Sequence, residues 1–112
     1  MRHRDEIILR KVISEINIAH DMLGMTTLEE FLNDEKLKRA VSMTVINIGE
    51  LIKNITDDTR GEYPQIPWKA IAGMWDIAAH KYQTLRMEDV YNTAFTDFTA
   101  LKEQLEKLIQ DN

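Results

Sequence analysis

Asp76 and His80 are the two residues of this chain best placed to move a proton. A four-residue step puts them on one face of a helix. A carboxylate there can accept a hydrogen bond from one imidazole nitrogen, orient the ring and favour its charged form. That is a general acid/base arrangement. The pair also has a purely structural reading, because a histidine near a helix C-terminus answers the helix dipole. The two residues alone do not decide between these readings.

Other chemistries lack their residues. The chain has no glycine-rich phosphate loop, no His-Glu-x-x-His motif and no glycine-flanked nucleophilic serine. His3, His20 and His80 are scattered, so no metal site and no cofactor is expected; His3 and His20 read as surface residues. Cysteine is absent, which removes disulfides and thiolate metal ligands. The net charge is −5, whereas a strong nonspecific nucleic-acid binder is normally basic. Any RNA contact would need a local cationic patch on an acidic body. No stretch approaches the roughly 18 apolar residues that span a bilayer, so no membrane contact is expected. Met1-Arg2-His3-Arg4 runs into an amphipathic segment with no apolar leader core, so a cytoplasmic protein is expected.

The 112 residues suffice for one domain, spanning 1–112. Four glycines and two prolines leave long helices as the natural elements. Ile8, Val12, Ile16, Ala19 and Leu23 mark a helix from Asp5 to Leu23, stopped by Gly24. Thr26, Thr27, Glu29 and Glu30 predict a capped short turn or helix ending near Asn33. A second long helix runs from Asp34 to Thr56 on Leu37, Val41, Val45, Ile48, Ile52 and Ile55. Gly49 inside it, like Gly73 further on, reads as a packing contact, since an interior glycine costs about 1 kcal/mol relative to alanine. Residues 57–67 read as the main loop. Pro67 then opens a helix over Trp68 to Lys81, with Trp68 as a core anchor and Ile71, Met74, Ile77 and Ala78 as core candidates. The last helix spans Met87 to Gln110 on Val90, Ala94, Leu101, Leu105 and Leu108, with Phe95 and Phe98 as larger fillers. The fold expected is all-α, an antiparallel bundle of four to five helices. Its short, apolar third long helix predicts a homodimer.

The helix carrying Asp76 and His80 also carries a longer pattern. Ile66-Pro67-Trp68, Ile71-Ala72-Gly73-Met74, Asp76, His80 and Tyr82 resemble the signature of the HepT-like ribonuclease toxins of the HEPN superfamily. Ile46-Asn47-Ile48-Gly49-Glu50-Leu51 is similar to that family's Ile-Gly-Glu segment on the preceding long helix. The resemblance covers nearly the whole chain. It implies a HEPN-like fold and a metal-independent endoribonuclease toxin, paired with a nucleotidyltransferase antitoxin. It implies His80 as general acid/base, Asp76 as the polar companion that orients it, and a composite site where motif helices of two subunits meet. Tyr82 matches the tyrosine that the antitoxin modifies with AMP, an anionic block beside a phosphate-binding cleft.

One position departs. Where the family has arginine, this chain has Trp75. A guanidinium offers a cationic fork for phosphate, whereas an indole offers one neutral N–H and a broad apolar face. Either Trp75 packs in a dimer seam or its ring stacks a base. Lys81 and Arg86 carry positive charge nearby, without the helical spacing of the missing arginine. Three functions stay open: an active ribonuclease toxin; a catalytically inactive HEPN-like module that binds nucleotide, RNA or the nucleotidyltransferase partner; and a structural helical dimer.

Overall fold

The apolar stripes become helices close to their expected bounds. The structure, a computed structural model, describes residues 1–111; the side chain of Trp75 lies outside the described residues. The elements are α1 (His3–Leu23), α2 (Leu28–Leu32), α3 (Glu35–Lys53), α4 (Asp57–Glu62), α5 (Trp68–His80), α6 (Met87–Asn92) and α7 (Phe98–Gln110). A 3-10 turn, Tyr82–Thr84, follows α5, and a π-helical segment, Thr93–Asp97, joins α6 to α7. No strand occurs among the described residues. The all-α bundle is as expected.

Several boundaries are set by side chains that the sequence announces. Gly24 ends α1 at φ +50°, its N–H donating to the His20 carbonyl, a left-handed geometry that suits glycine. Thr27 and Glu30 form a reciprocal capping box around the start of α2, at 3.2 and 2.9 Å. Asp34 accepts from Leu37 N at 3.0 Å and caps α3.

Residues 57–67 are not one loop. Thr56, expected inside the second long helix, is instead the N-cap of α4 and accepts from Thr59 N. Asp57 and Asp58 then favour the helix start. Arg60 folds back to donate to the Ile52 and Ile55 carbonyls at 2.9 and 3.3 Å, satisfying the open end of α3. This turn also receives the buried Asp5. Its carboxylate accepts from Thr56 N at 3.2 Å and from the Thr56 and Thr59 hydroxyls at 2.6 Å each. The start of α1 is thereby fixed to the end of α3, so the two helices run antiparallel.

The core forms between them. Leu9, Val12 and Ile16 of α1 meet Val41, Val45, Ile48 and Ile52 of α3, all at most 3% exposed. Each such side chain contributes about 1.5–3 kcal/mol on leaving water. Trp68 and Ala78 of α5, Phe31 of α2, Val90 of α6, Ala94 of the π segment and Leu101, Leu105 and Leu108 of α7 extend the core.

The π segment explains two departures from the sequence reading. Such a segment, with i→i+5 bonds in place of i→i+4, widens the turn and shifts the side chains that follow. His20 is half-buried, not on the surface, and its Nε2–H donates to the Ala94 carbonyl at 3.0 Å. Phe95 is no core filler: it is 48% exposed and stacks on Tyr91 at 5.3 Å. Apart from its own helix backbone and chain neighbours, Gly73 has no heavy atom of a described residue within 4 Å of where a Cβ would stand, so no other described element packs closely on it.

Burial pushes the Asp5 carboxyl up, but the three hydrogen bonds from Thr56 and Thr59, with Arg4 nearby, outweigh it and hold it below 3.8. Stability from this group is therefore full above the unfolded value near 3.8 and is lost as pH falls through the lower folded value. Replacing Asp5 by Ala should cost about 2–4 kcal/mol in urea unfolding at neutral pH, with a smaller loss of stability on acidification than in the parent.

Candidate active site

The helix that holds the candidate residues is anchored at its beginning. Pro67 stands at the N-cap with φ −80°, and the Trp68 indole N–H donates to the Tyr63 carbonyl at 3.0 Å. Trp68 is buried, as expected of a core anchor. Ala78 is 1% exposed, and α5 lies mainly against α3. That contact turns Asp76, Ile77, Ala79 and His80 outward. Ile77, expected in the core, is 47% exposed. The Lys81 N–H donates to the Ile77 carbonyl at 2.8 Å and closes the helix, leaving His80 in the last turn.

Asp76 and His80 thus share an exposed face, as the four-residue step requires. Among the described residues the Asp76 carboxylate makes no hydrogen bond and no ion pair. Trp75 belongs to the backbone of α5; its side chain, and with it the choice between seam packing and base stacking, lies outside the described residues.

Tyr82 starts the 3-10 turn and is half-buried. The Arg39 guanidinium lies over its ring, 5.5 Å from the centroid. This places the beginning of α3 beside the end of α5, so these helices are also antiparallel. Ser42 Oγ lies 3.8 Å from Met87 Sδ, which sets the first turn of α6 against α3 one turn beyond Arg39. Arg86, the N-cap of α6, and Lys81 therefore belong to the same end of the bundle as Arg39 and Tyr82.

Acidic side chains partly balance this corner. Glu35 pairs with Lys38 at 3.0 Å and with Arg39 at 3.3 Å. The Lys38 hydrogen bond and charge, with Arg39 adding to them, hold its carboxyl below the usual range. Glu88 pairs with Arg86 at 3.3 Å, and its own backbone N–H and Arg86 lower it likewise. Exposed ion pairs of this kind are weak and exchange readily for other anions. Arg39 was missed by the sequence reading because it is far from Tyr82 along the chain. Only the antiparallel order of α3 and α5 could have suggested it.

A separate groove of about 300 Å³ lies between α3, α5 and α7, lined by Val45, Ile48, Pro67, Ile71, Met74 and Leu101 among others. Its walls are mainly apolar and offer little for proton transfer. Among the described residues, no three His, Asp or Glu side chains cluster closely enough to hold a metal ion. None of the described helices is long and apolar enough to cross a membrane.

The family model described as Ribonuclease HepT-like matches residues 12–108, which include both the α3 segment and the whole of α5. The chain belongs to the HepT-like ribonuclease family. Relatives agree along most of their length. A Methanocaldococcus jannaschii protein named as a candidate RNase is 38% identical over 96 residues, covering 86% of this chain and 79% of its own. A second from that organism, named likewise, is 40% identical over 83 residues, covering 74% and 69%. A Thermococcus cleftensis protein named a probable ribonuclease HepT is 32% identical over 106 residues, covering 95% and 94%. No solved structure gives a significant match. Within this HepT-like frame, Trp75 stands where the resemblance implies arginine.

The Trp68 indole is the polar tether at the start of the site helix. Exchanging Trp68 for Phe keeps an aromatic ring and deletes that hydrogen bond. We expect a loss of about 1 kcal/mol, read from thermal unfolding, with helix content in circular dichroism unchanged.

Proposed function

We propose that this chain is a metal-independent endoribonuclease toxin of a toxin–antitoxin pair, with His80 as general acid/base. The carrying observation is the exposed position of His80 in the last turn of α5, in a chain of the HepT-like ribonuclease family. In this reading the imidazole takes the proton of a ribose 2′-hydroxyl as its oxygen attacks the adjacent phosphorus. A protonated imidazole then gives a proton to the departing 5′-oxygen. Asp76 is the polar companion on the same face. Its carboxylate makes no bond to another described residue, so it is available to orient the ring when substrate or a second subunit is present.

The second subunit is part of the proposal. On α5, Ala70, Ile77 and Ala79 are exposed, and Ala72 and Gly73 are half-exposed beside them. An apolar helix face left open in one chain favours a self-complementary partner. A nucleotidyltransferase antitoxin is the other partner in this reading. Tyr82 would receive AMP, and the added phosphate beside His80 would compete for the substrate's place by charge and volume. The protein would act in the cytoplasm.

Trp75 supports a second reading, an inactive HEPN-like module that still binds nucleotide, RNA or the nucleotidyltransferase. An indole cannot supply the charge that a guanidinium gives to the transition state. Incubation of the parent, His80→Ala and Trp75→Arg with mixed RNA in chelator separates the two. Cleavage by the parent that disappears in His80→Ala is the expected result. A silent parent together with an active Trp75→Arg protein would transfer the argument to the binding module.

Gly73→Leu tests the dimer. No described residue outside its own helix backbone and chain neighbours stands within 4 Å of a Cβ there, so the variant should keep its helix content. Light scattering should then report a monomer where the parent is a dimer. A dimeric Gly73→Leu protein would place the interface elsewhere.

A further inference from the structure

We propose that Arg39, with Arg86 and Lys81 beside it, forms the RNA phosphate-binding site of this protein and supplies the cationic fork that Trp75 does not. The inference rests on the ribonuclease reading for its substrate class, though not on cleavage itself.

Three observations carry it. The Arg39 guanidinium lies 5.5 Å from the centroid of the Tyr82 ring. Tyr82 is two residues from His80, so their Cα atoms are at most about 7.6 Å apart. A positive charge from a different helix therefore stands at the end of α5 that carries the candidate proton-transfer group. Second, the contact from Ser42 to Met87 brings the α6 N-cap, Arg86, to the same end of α3. Arg39, Lys81 and Arg86 are all exposed. Third, among the described residues the Arg39 and Arg86 side chains pair with no carboxylates beyond those of Glu35 and Glu88, which solvent reaches. A phosphodiester can displace such partners at little cost.

The chemistry favours RNA over an acidic protein. A guanidinium seated over an aromatic ring keeps its N–H edge for a phosphate, and a planar cation beside a tyrosine suits unstacked bases. The whole chain carries −5, so an RNA backbone needs local cations such as these three, and the carboxylates paired with Arg39 and Arg86 are open to solvent.

The test is binding of a fluorescently labelled single-stranded RNA by anisotropy, in chelator, across a salt series. Parent, Arg39→Gln and a remote control, Lys11→Gln on α1, are compared, each checked for unchanged helix content. Arg39→Gln should bind about tenfold more weakly, and its log–log salt slope should fall by about 0.7, the loss of one single-strand phosphate contact. Lys11→Gln should match the parent. Equal binding and slope in parent and Arg39→Gln would overturn the proposal. So would a parent that does not bind the RNA at low salt, which would leave the corner to a protein partner. Cleavage is scored separately in the same samples, so an RNA-binding protein that fails to cut defeats the ribonuclease reading while this site stands.

Discussion

Burial of α3 on two sides is the constraint on which the remaining structure depends. Val41, Val45, Ile48 and Ile52 leave α3 with a wide apolar surface, and α1 and α5 together cover it. No single partner helix would suffice, because a helix stripe wider than about 100° cannot be hidden by one neighbour. Once α3 is enclosed, the directions of the other helices follow from their connections and from a few polar ties. Asp5 holds the start of α1 to the end of α3, and Arg60 closes the same end from the other side.

That enclosure determines what the site can contain. Because α5 runs antiparallel to α3, its last turn arrives beside the first turns of α3. His80 and Tyr82 are brought together by the end of α5 and the turn that follows it. Arg39 reaches Tyr82 through the packing of two helices distant in sequence. The acidic charge of the whole chain does not preclude local cations such as Arg39 from acting, because charge acts over roughly a Debye length and not over the molecule as an average.

The apolar character of α5 has a similar double consequence. Ala78 and Trp68 are spent on the core, while Ile77 and the small residues near Gly73 are left uncovered. A sequence stripe gives the width of an apolar surface but not how much of it the same chain will cover. Ile77 was expected inside for that reason. The uncovered strip and the face of Asp76 and His80 are contiguous on one short helix, so assembly and chemistry would be coupled in the proposed enzyme.

The sequence by itself determined the long helices and the caps that end α1 and start α2 and α3. Thr27 with Glu30, Asp34 and Gly24 act within one turn of their own positions, so local physics suffices. It also determined that Asp76 and His80 share a face, since that follows from helical pitch. The pattern from Ile66 to Tyr82 carried the family. Tertiary structure decided the rest. Thr56 became a cap and not a helix residue because the buried Asp5 and the α4 turn claim its hydroxyl and N–H. His20 turned inward because the Ala94 carbonyl, in a π segment distant along the chain, accepts from its ring. Arg39 met Tyr82 only through antiparallel packing. Contacts between residues far apart in the chain depend on which faces the core consumes, and no local pattern encodes that.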